Sequence, residues 1–304
     1  MKRPRYENPR DFRKTLDARI RNLAEREGLP AARIRQIVVI DRFIARLAET
    51  FGPRLVVKGA MALEYRMPLA RTTKDLDASA SGTSPDELLD AIQEAGERDL
   101  GDRLRYKAQI HPHHSVVQGA GVTYGGLRFQ VVPEIGGSPA GAPFGFDVSF
   151  GDPLVGEPEE VSGHDFLSFA GVLPGRFWIY PLATHLAEKL HAYTLPRTAP
   201  NTRLKDLPDL ALLARLGPLQ DDRLLEAFQR VFAFRDTHPV PARLPDPPAA
   251  WSGRYRALAE DAAFPWSDLD ALVLAARVFL DPLLAGRPGR WDPTTWSWIP
   301  ITVS

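Results

Sequence analysis

The chain has 304 residues, no cysteine, and 38 basic against 38 acidic side chains. That length holds one large domain or two ordinary ones, and the lack of cysteine excludes disulfides and thiolate metal sites and fits a cytoplasmic protein. No run of about 18 apolar residues is present, so no membrane span is expected, and the opening "MKRPRYENPRDFRKTL" has no apolar stretch behind its charges, unlike a secretory signal.

The charge is unevenly spread. Residues 1–36 carry eleven Lys/Arg against five Asp/Glu. A basic arm of this kind suits a phosphate-rich partner, and a solvated helix face is the plainer reading.

In chain order, residues 11–28 read as a mostly polar helix ending near Gly28 and Pro30. In 31–50, Ile40, Phe43, Ile44 and Leu47 recur at helical spacing, and Gly52-Pro53 stops that helix. "LVVKG", 55–59, reads as a short buried strand, and 60–66 as a helix opening directly after the glycine. "TKDLDAS", 73–79, alternates like a half-buried strand. Residues 84–98 carry strong helix punctuation: Ser84 as N-cap, Pro85 at the first position, Glu87 closing a capping box. Strand candidates follow at 105–110, 127–135 and 144–151, separated by glycine-rich turns, as hairpins of one sheet.

From 162 the texture changes. Helices are expected at 181–195, 206–216, 221–233 and 268–285, with a proline-rich extended run at 236–251. The final "RWDPTTWSWIP" holds three tryptophans, read as anchors for the tail. The fold class is α+β: a small mixed sheet flanked by helices over residues 1–165, then a mainly helical region over 166–304.

Three carboxylates fall on expected strands. Asp75 and Asp77 are two apart, so both point to one face. Asp147, in "FGFDVSF", points away from Phe144, Phe146 and Val148. Leaving a carboxylate buried and unpaired costs several kcal/mol, roughly. Converging carboxylates suit a hard divalent cation such as Mg²⁺ or Mn²⁺, and two such ions about 4 Å apart would clamp both oxygens of a phosphoryl transfer. Asp-x-Asp alone is common on exposed strands. Here it follows a strand–glycine–helix turn, "LVVKGAMALEYR", whose free N–H groups can meet a phosphate.

With those residues in view, "LVVKGAMALEYRMPLARTTKDLDAS" resembles the AbiEii/AbiGii toxins of type IV toxin–antitoxin systems, MenT-like members of the DNA polymerase β type of nucleotidyltransferase. The resemblance spans about 60–210 and includes "EKLHAYTLPRTAPNTRLKDLPDL" at 188–210. It implies a polymerase β-like core and an NTP substrate, with Asp75, Asp77 and Asp147 as metal ligands and catalytic groups. It also implies Lys189 as the triphosphate contact, and an acidic supporting residue that is Asp209 or, at lower weight, Asp206. Lys58, Gly59, Ala60, Arg71, Arg203 and Lys205 are weaker nucleotide-binding candidates. Ala60 departs from the family's second glycine. It keeps a backbone N–H and adds a methyl near the phosphates.

Lys189, on a half-apolar helix face, can snorkel to solvent. Asp206 can cap a helix, with Asp209 completing a box. "HPHH", 111–114, lacks the regular spacing of a zinc site and reads as a loop. Phosphate on Thr72 or Thr73 would repel Asp75, and both suit a strand without that role. The expected activity is transfer of a nucleoside monophosphate to RNA, a tRNA 3′ end by resemblance, with an antitoxin encoded by an adjacent gene. Transfer to protein, and a non-catalytic nucleotide- or RNA-binding module, are the alternatives.

Overall fold

The computed structural model describes residues 6, 8–71, 73–112, 126–198, 201–287 and 289–300. Thr72 and the His113-His114 half of the histidine run lie outside them.

Helix α1 (Pro9–Glu27) starts where the Asn8 side chain accepts from the Arg10 N–H, and it turns Phe12, Leu16, Ile20 and Ala24 inward. Helix α2 (Ala31–Phe51) is buried over most of its length. Its charged residues Arg42 and Arg46 both close on the buried Asp102, with Arg46 donating from both Nη1 and Nη2. A buried carboxylate needs this saturation to stay ionised.

Next come β1 (Leu55–Lys58), α3 (Gly59–Arg66), β2 (Leu76–Ala80) and α4 (Pro85–Glu97). The capping box at Ser84 and Glu87 forms as expected. Strand β2 begins later than expected, so Asp75 stands just before it rather than on it. Strands β3 (Leu104–Ile110), β4 (Gly126–Ile135), β5 (Ser138–Pro139), β6 (Phe144–Phe150), β7 (Glu159–Ser162) and β8 (Arg176–Ile179) complete an eight-stranded mixed sheet, larger than the small sheet expected. Its order is β3-β4-β6-β2-β1-β8-β7, with β5 beside β4. The β2–β6 and β1–β8 pairs are parallel and the others antiparallel.

Alternation decides the faces. Tyr106, Phe144 and Phe146 pack against Phe43 of α2. The intervening residues, including Arg128, Gln130 and Asp147, therefore stand on the opposite face. Strand β8 follows residue 165 yet pairs with β1. A division of the chain at 165/166 would cut this sheet.

The second core gathers α5 (Leu182–Thr194), α6 (Asp206–Ala214), α7 (Asp221–Arg235), α8 (Ser252–Ala262) and α9 (Leu269–Leu284). Helix α8 was not expected. Only Tyr255 and Ala259 of it are buried, too few to show a stripe in the sequence. The short strands β9 (Leu219–Gln220), β10 (Arg290–Asp292) and β11 (Ser297–Ile299) form a second sheet. The tail tryptophans do anchor it: the indole N–H groups of Trp291, Trp296 and Trp298 donate to the carbonyls of Ala214, Ala275 and Phe279. Among the described residues no helix is long and apolar enough to cross a membrane.

Candidate active site

The site begins at the β1–α3 turn. Lys58 faces Asp77 across the β1–β2 ladder, and Gly59 follows with φ +64°. A Cβ there would stand 2.5 Å from Asp77 Oδ2. Glycine is required twice over, by the left-handed backbone and by the carboxylate resting on it. No side chain caps α3, so its first N–H groups remain available at the cleft. Ala60 lines the same cleft.

Asp77 also faces Asp147 across the parallel β2–β6 ladder. Burial, and then the Asp147 charge, push the Asp77 carboxyl above its ordinary value, against the pull of Lys58 and Lys189. Asp75 lies two residues before Asp77, where its Oδ1 accepts weakly from the Gly145 N–H at 3.3 Å. This all-oxygen donor set fits a hard divalent cation, which would relieve the raised Asp77. Yet among the described residues no three His, Asp or Glu side chains are grouped to hold an ion as they stand. Asp147 is instead held by Arg128 of β4. This arginine sits opposite Asp147 and donates to both of its oxygens, Nε to Oδ1 at 2.7 Å and Nη2 to Oδ2 at 2.5 Å.

The basic wall comes from the second core. Lys189 of α5 does not snorkel: its Nζ lies 2.9 Å from Asp206 Oδ1 and 2.7 Å from Asp209 Oδ2. Burial opposes its charge, but these two carboxylates hold its pKa above the ordinary lysine value. Asp206 caps nothing, because it lies inside the first turn of α6 and faces Lys189. Asp209 is fully buried beneath Lys189 and also takes a fork from Arg71, Nε to Oδ1 at 2.6 Å and Nη2 to Oδ2 at 2.7 Å. Burial would raise its pKa, yet Arg71 and Lys189 drive it well below the usual carboxylate range. Lys205 is lowered by burial and then by Arg71, so positive charge is crowded here. A cleft of about 340 Å³ collects Gly59, Ala60 and Asp77 with Arg71, Lys189, Arg203 and Lys205. An excess of cations over a glycine turn suits a polyphosphate.

Lys58 differs from its expected role. Its Nζ reaches Ser149 Oγ at 2.6 Å and pairs with Asp152, behind the cleft. Tyr180 also donates to Asp152, at 2.6 Å, and Arg235 of α7 pairs with Glu188 at 2.7 Å. Thr73 is buried and donates to the Asp75 carbonyl, so its hydroxyl is a poor phosphorylation target. Sequence reasoning missed Arg128, although strand alternation could have shown it beside Asp147. It also missed Arg254, which lines the cleft from the unexpected helix α8.

The family model described as nucleotidyl transferase AbiEii toxin, type IV TA system, matches residues 42–273. This chain belongs to the AbiEii family. As an AbiEii protein it is a nucleotidyltransferase toxin, and type IV membership implies an antitoxin partner and an NTP substrate. No curated protein matches by sequence. Among solved structures, the nucleotidyltransferase toxin MenT4 of Mycobacterium tuberculosis is similar at 21% identity, over 67% of this chain and 68% of that one, with a TM-score of 0.46. JHP933 from Helicobacter pylori is similar at 16% identity, over 82% and 91%, with a TM-score of 0.44.

Proposed function

We propose that this AbiEii protein is a divalent-metal-dependent enzyme of the cytoplasm. It moves a nucleoside monophosphate from an NTP to an RNA hydroxyl, a tRNA 3′ end in particular, and so stops translation and growth. The observation that supports this most is Asp77 resting on the Gly59 turn, in one cleft with Arg71 and Lys189. Metal ligands and a polyphosphate cradle then share one carboxylate.

Asp75, Asp77 and Asp147 would hold the cation, Mg²⁺ or Mn²⁺, which supplies Lewis-acid stabilisation of the triphosphate. The residues do the rest. The Gly59 and Ala60 N–H groups and Lys189, with Arg71, Arg203 and Lys205 around it, receive the phosphates. Asp209 and Asp206 are positioning residues that hold Lys189 and Arg71 in place. The acceptor oxygen bonds to the α-phosphorus, the bond to the β-phosphate's bridging oxygen breaks, and pyrophosphate leaves. Asp147 would accept the proton that the hydroxyl gives up as this bond forms. Lys189 meets the charge growing on the leaving group. An antitoxin encoded by an adjacent gene would restrain the activity.

The test is incubation with each α-labelled NTP, Mg²⁺ and total RNA, beside an Asp77→Ala control. Metal-dependent label in small RNA, absent from the control, is expected. Label in protein alone would replace RNA as the acceptor, and no label in either would remove the transfer reaction.

A further inference from the structure

The carboxylates border two clefts. Beside the nucleotide cleft lies a second, of about 450 Å³, lined by Asp75, Asp77 and Asp147 together with His111, Arg128 and Gln130. Its floor is the polar face of the sheet at Gly145, opposite the face packed on α2. Asp77 and Arg203 line both clefts, so the two meet at Asp77. Lys189 lines only the first, so a substrate in the second would meet the carboxylates from a cleft that Lys189 does not line.

Arg128 is the group on which this cleft turns. Its side chain is 39% exposed, against 19% for Asp147, so its guanidinium is reachable from the cleft even while both Asp147 oxygens hold it. A cation bound by Asp147 would compete for those same two oxygens. Once the ion neutralises Asp147, the fork has no reason to stay. Its planar pair of N–H donors then fits another two-oxygen anion.

We propose that the second cleft binds the RNA acceptor through a backbone phosphate held by Arg128, and that Asp147 withholds Arg128 until a divalent cation takes its place. This deepens the transferase reading and rests on it. Binding becomes ordered: the ion first, then the acceptor phosphate on the released arginine. RNA that arrives before the ion finds Arg128 taken and carboxylates facing it, which disfavours an empty complex.

The test measures RNA binding rather than turnover. The full chain is titrated into 5′-fluorescein-labelled bulk tRNA and followed by anisotropy, in EDTA and then in Ca²⁺ with an α,β-methylene NTP. The wild type is expected to bind about tenfold more tightly with the ion, the scale of one hydrogen-bonded charged contact. Arg128→Gln should bind weakly in both buffers, and it controls for effects of the ion on the RNA. Asp147→Asn should bind tightly in EDTA, because its amide no longer holds the arginine as a carboxylate does. In the double variant that gain should vanish. Glu134→Gln, which removes a carboxylate from the same strand but not from Arg128, should gain little. If Arg128→Gln lowers the melting temperature, Arg128→Lys takes its place. It keeps the charge, loses the fork and should recover only part of the affinity.

An equal response to the ion in wild type and Arg128→Gln would overturn the proposal. So would a gain that survives in the double variant, or an equal gain from Glu134→Gln. Running the label-transfer assay, with Mg²⁺ and a cleavable α-labelled NTP, on the same wild-type and Arg128→Gln preparations separates the two readings. Labelled RNA without dependence on Arg128 sinks this inference alone. The expected binding pattern without labelled RNA sinks the transferase reading and leaves Arg128 as an anion site.

Discussion

Asp77 Oδ2 stands 2.5 Å from where a Cβ on Gly59 would go, closer than a real Cβ tolerates. The turn that offers backbone N–H groups to a phosphate is thus built around the carboxylate that would hold the metal. Gly59→Ala should move Asp77 and strain a backbone at φ +64°, costing about 1–3 kcal/mol of stability. Activity should fall about a hundredfold, the effect of misplacing a reacting group by about an ångström. Melting temperature and steady-state transfer rates measure the two separately.

Relieving the Asp77–Asp147 repulsion should stabilise the metal-free protein. Asp77→Asn removes one of two like charges facing each other across a ladder and should gain up to about 1 kcal/mol in EDTA. Transfer should be abolished. Mn²⁺ or Mg²⁺ should raise the melting temperature of the wild type, by an amount worth about 2.7 kcal/mol at a hundred times Kd, and leave that of the variant nearly unchanged. A destabilised variant in EDTA would show that the wild-type carboxylates are already compensated.

The Arg71–Asp209–Lys189 cluster predicts a different outcome. Asp209→Ala takes the forked carboxylate from the buried Arg71 and leaves Lys189 to Asp206, and should cost about 3–5 kcal/mol, read from urea unfolding. Nucleotide affinity should fall with it, because Lys189 and Arg71 lose the anchor that aims them. Lys189→Met should weaken nucleotide binding at a smaller cost in stability, since Arg71 still forks to Asp209.

His164 gives a pH dependence. Its backbone N–H donates to Asp41 Oδ1 at 3.0 Å, its ring Nε2 is 3.4 Å from Glu64 Oε1, and Tyr65 donates to the same Asp41 oxygen. Burial disfavours the imidazolium, yet Glu64 and Asp41 hold the pKa above its ordinary 6.5. The folded state therefore binds this proton more tightly than the unfolded chain. The stabilisation is complete below about pH 6.5 and is lost as pH rises through the folded value. Between about pH 6 and 8.5 the wild-type melting temperature should fall more than that of His164→Gln. The buried Asp41 is also shifted upward from 3.8, chiefly by burial, and it is kept in His164→Gln, so the difference between the two proteins reads the histidine's share.

Residue types and spacings made much of this protein legible. The glycine after a buried strand, the Asp-x-Asp, the capping box at Ser84 and the helix bearing Lys189 all follow from local rules that act over a few residues. Pairing partners do not. Nothing near Lys58 in the chain shows that Asp152 draws it behind the cleft, since that depends on a contact 94 residues away. Strand β8 was unreadable for the same reason: four residues between loops become a strand because β1 and β7 pair with them on either side.

The sequence by itself determined the chemistry available: three aspartates, a glycine turn and an excess of basic groups downstream, because those are properties of residues and their order. Only the tertiary structure decided which charges neutralise which. Asp206 and Asp209 could have capped a helix and instead hold Lys189, and Asp147 could have stood free and instead holds Arg128. Ion pairing depends on distance in space and on exclusion of water, and neither is written in the spacing along a chain.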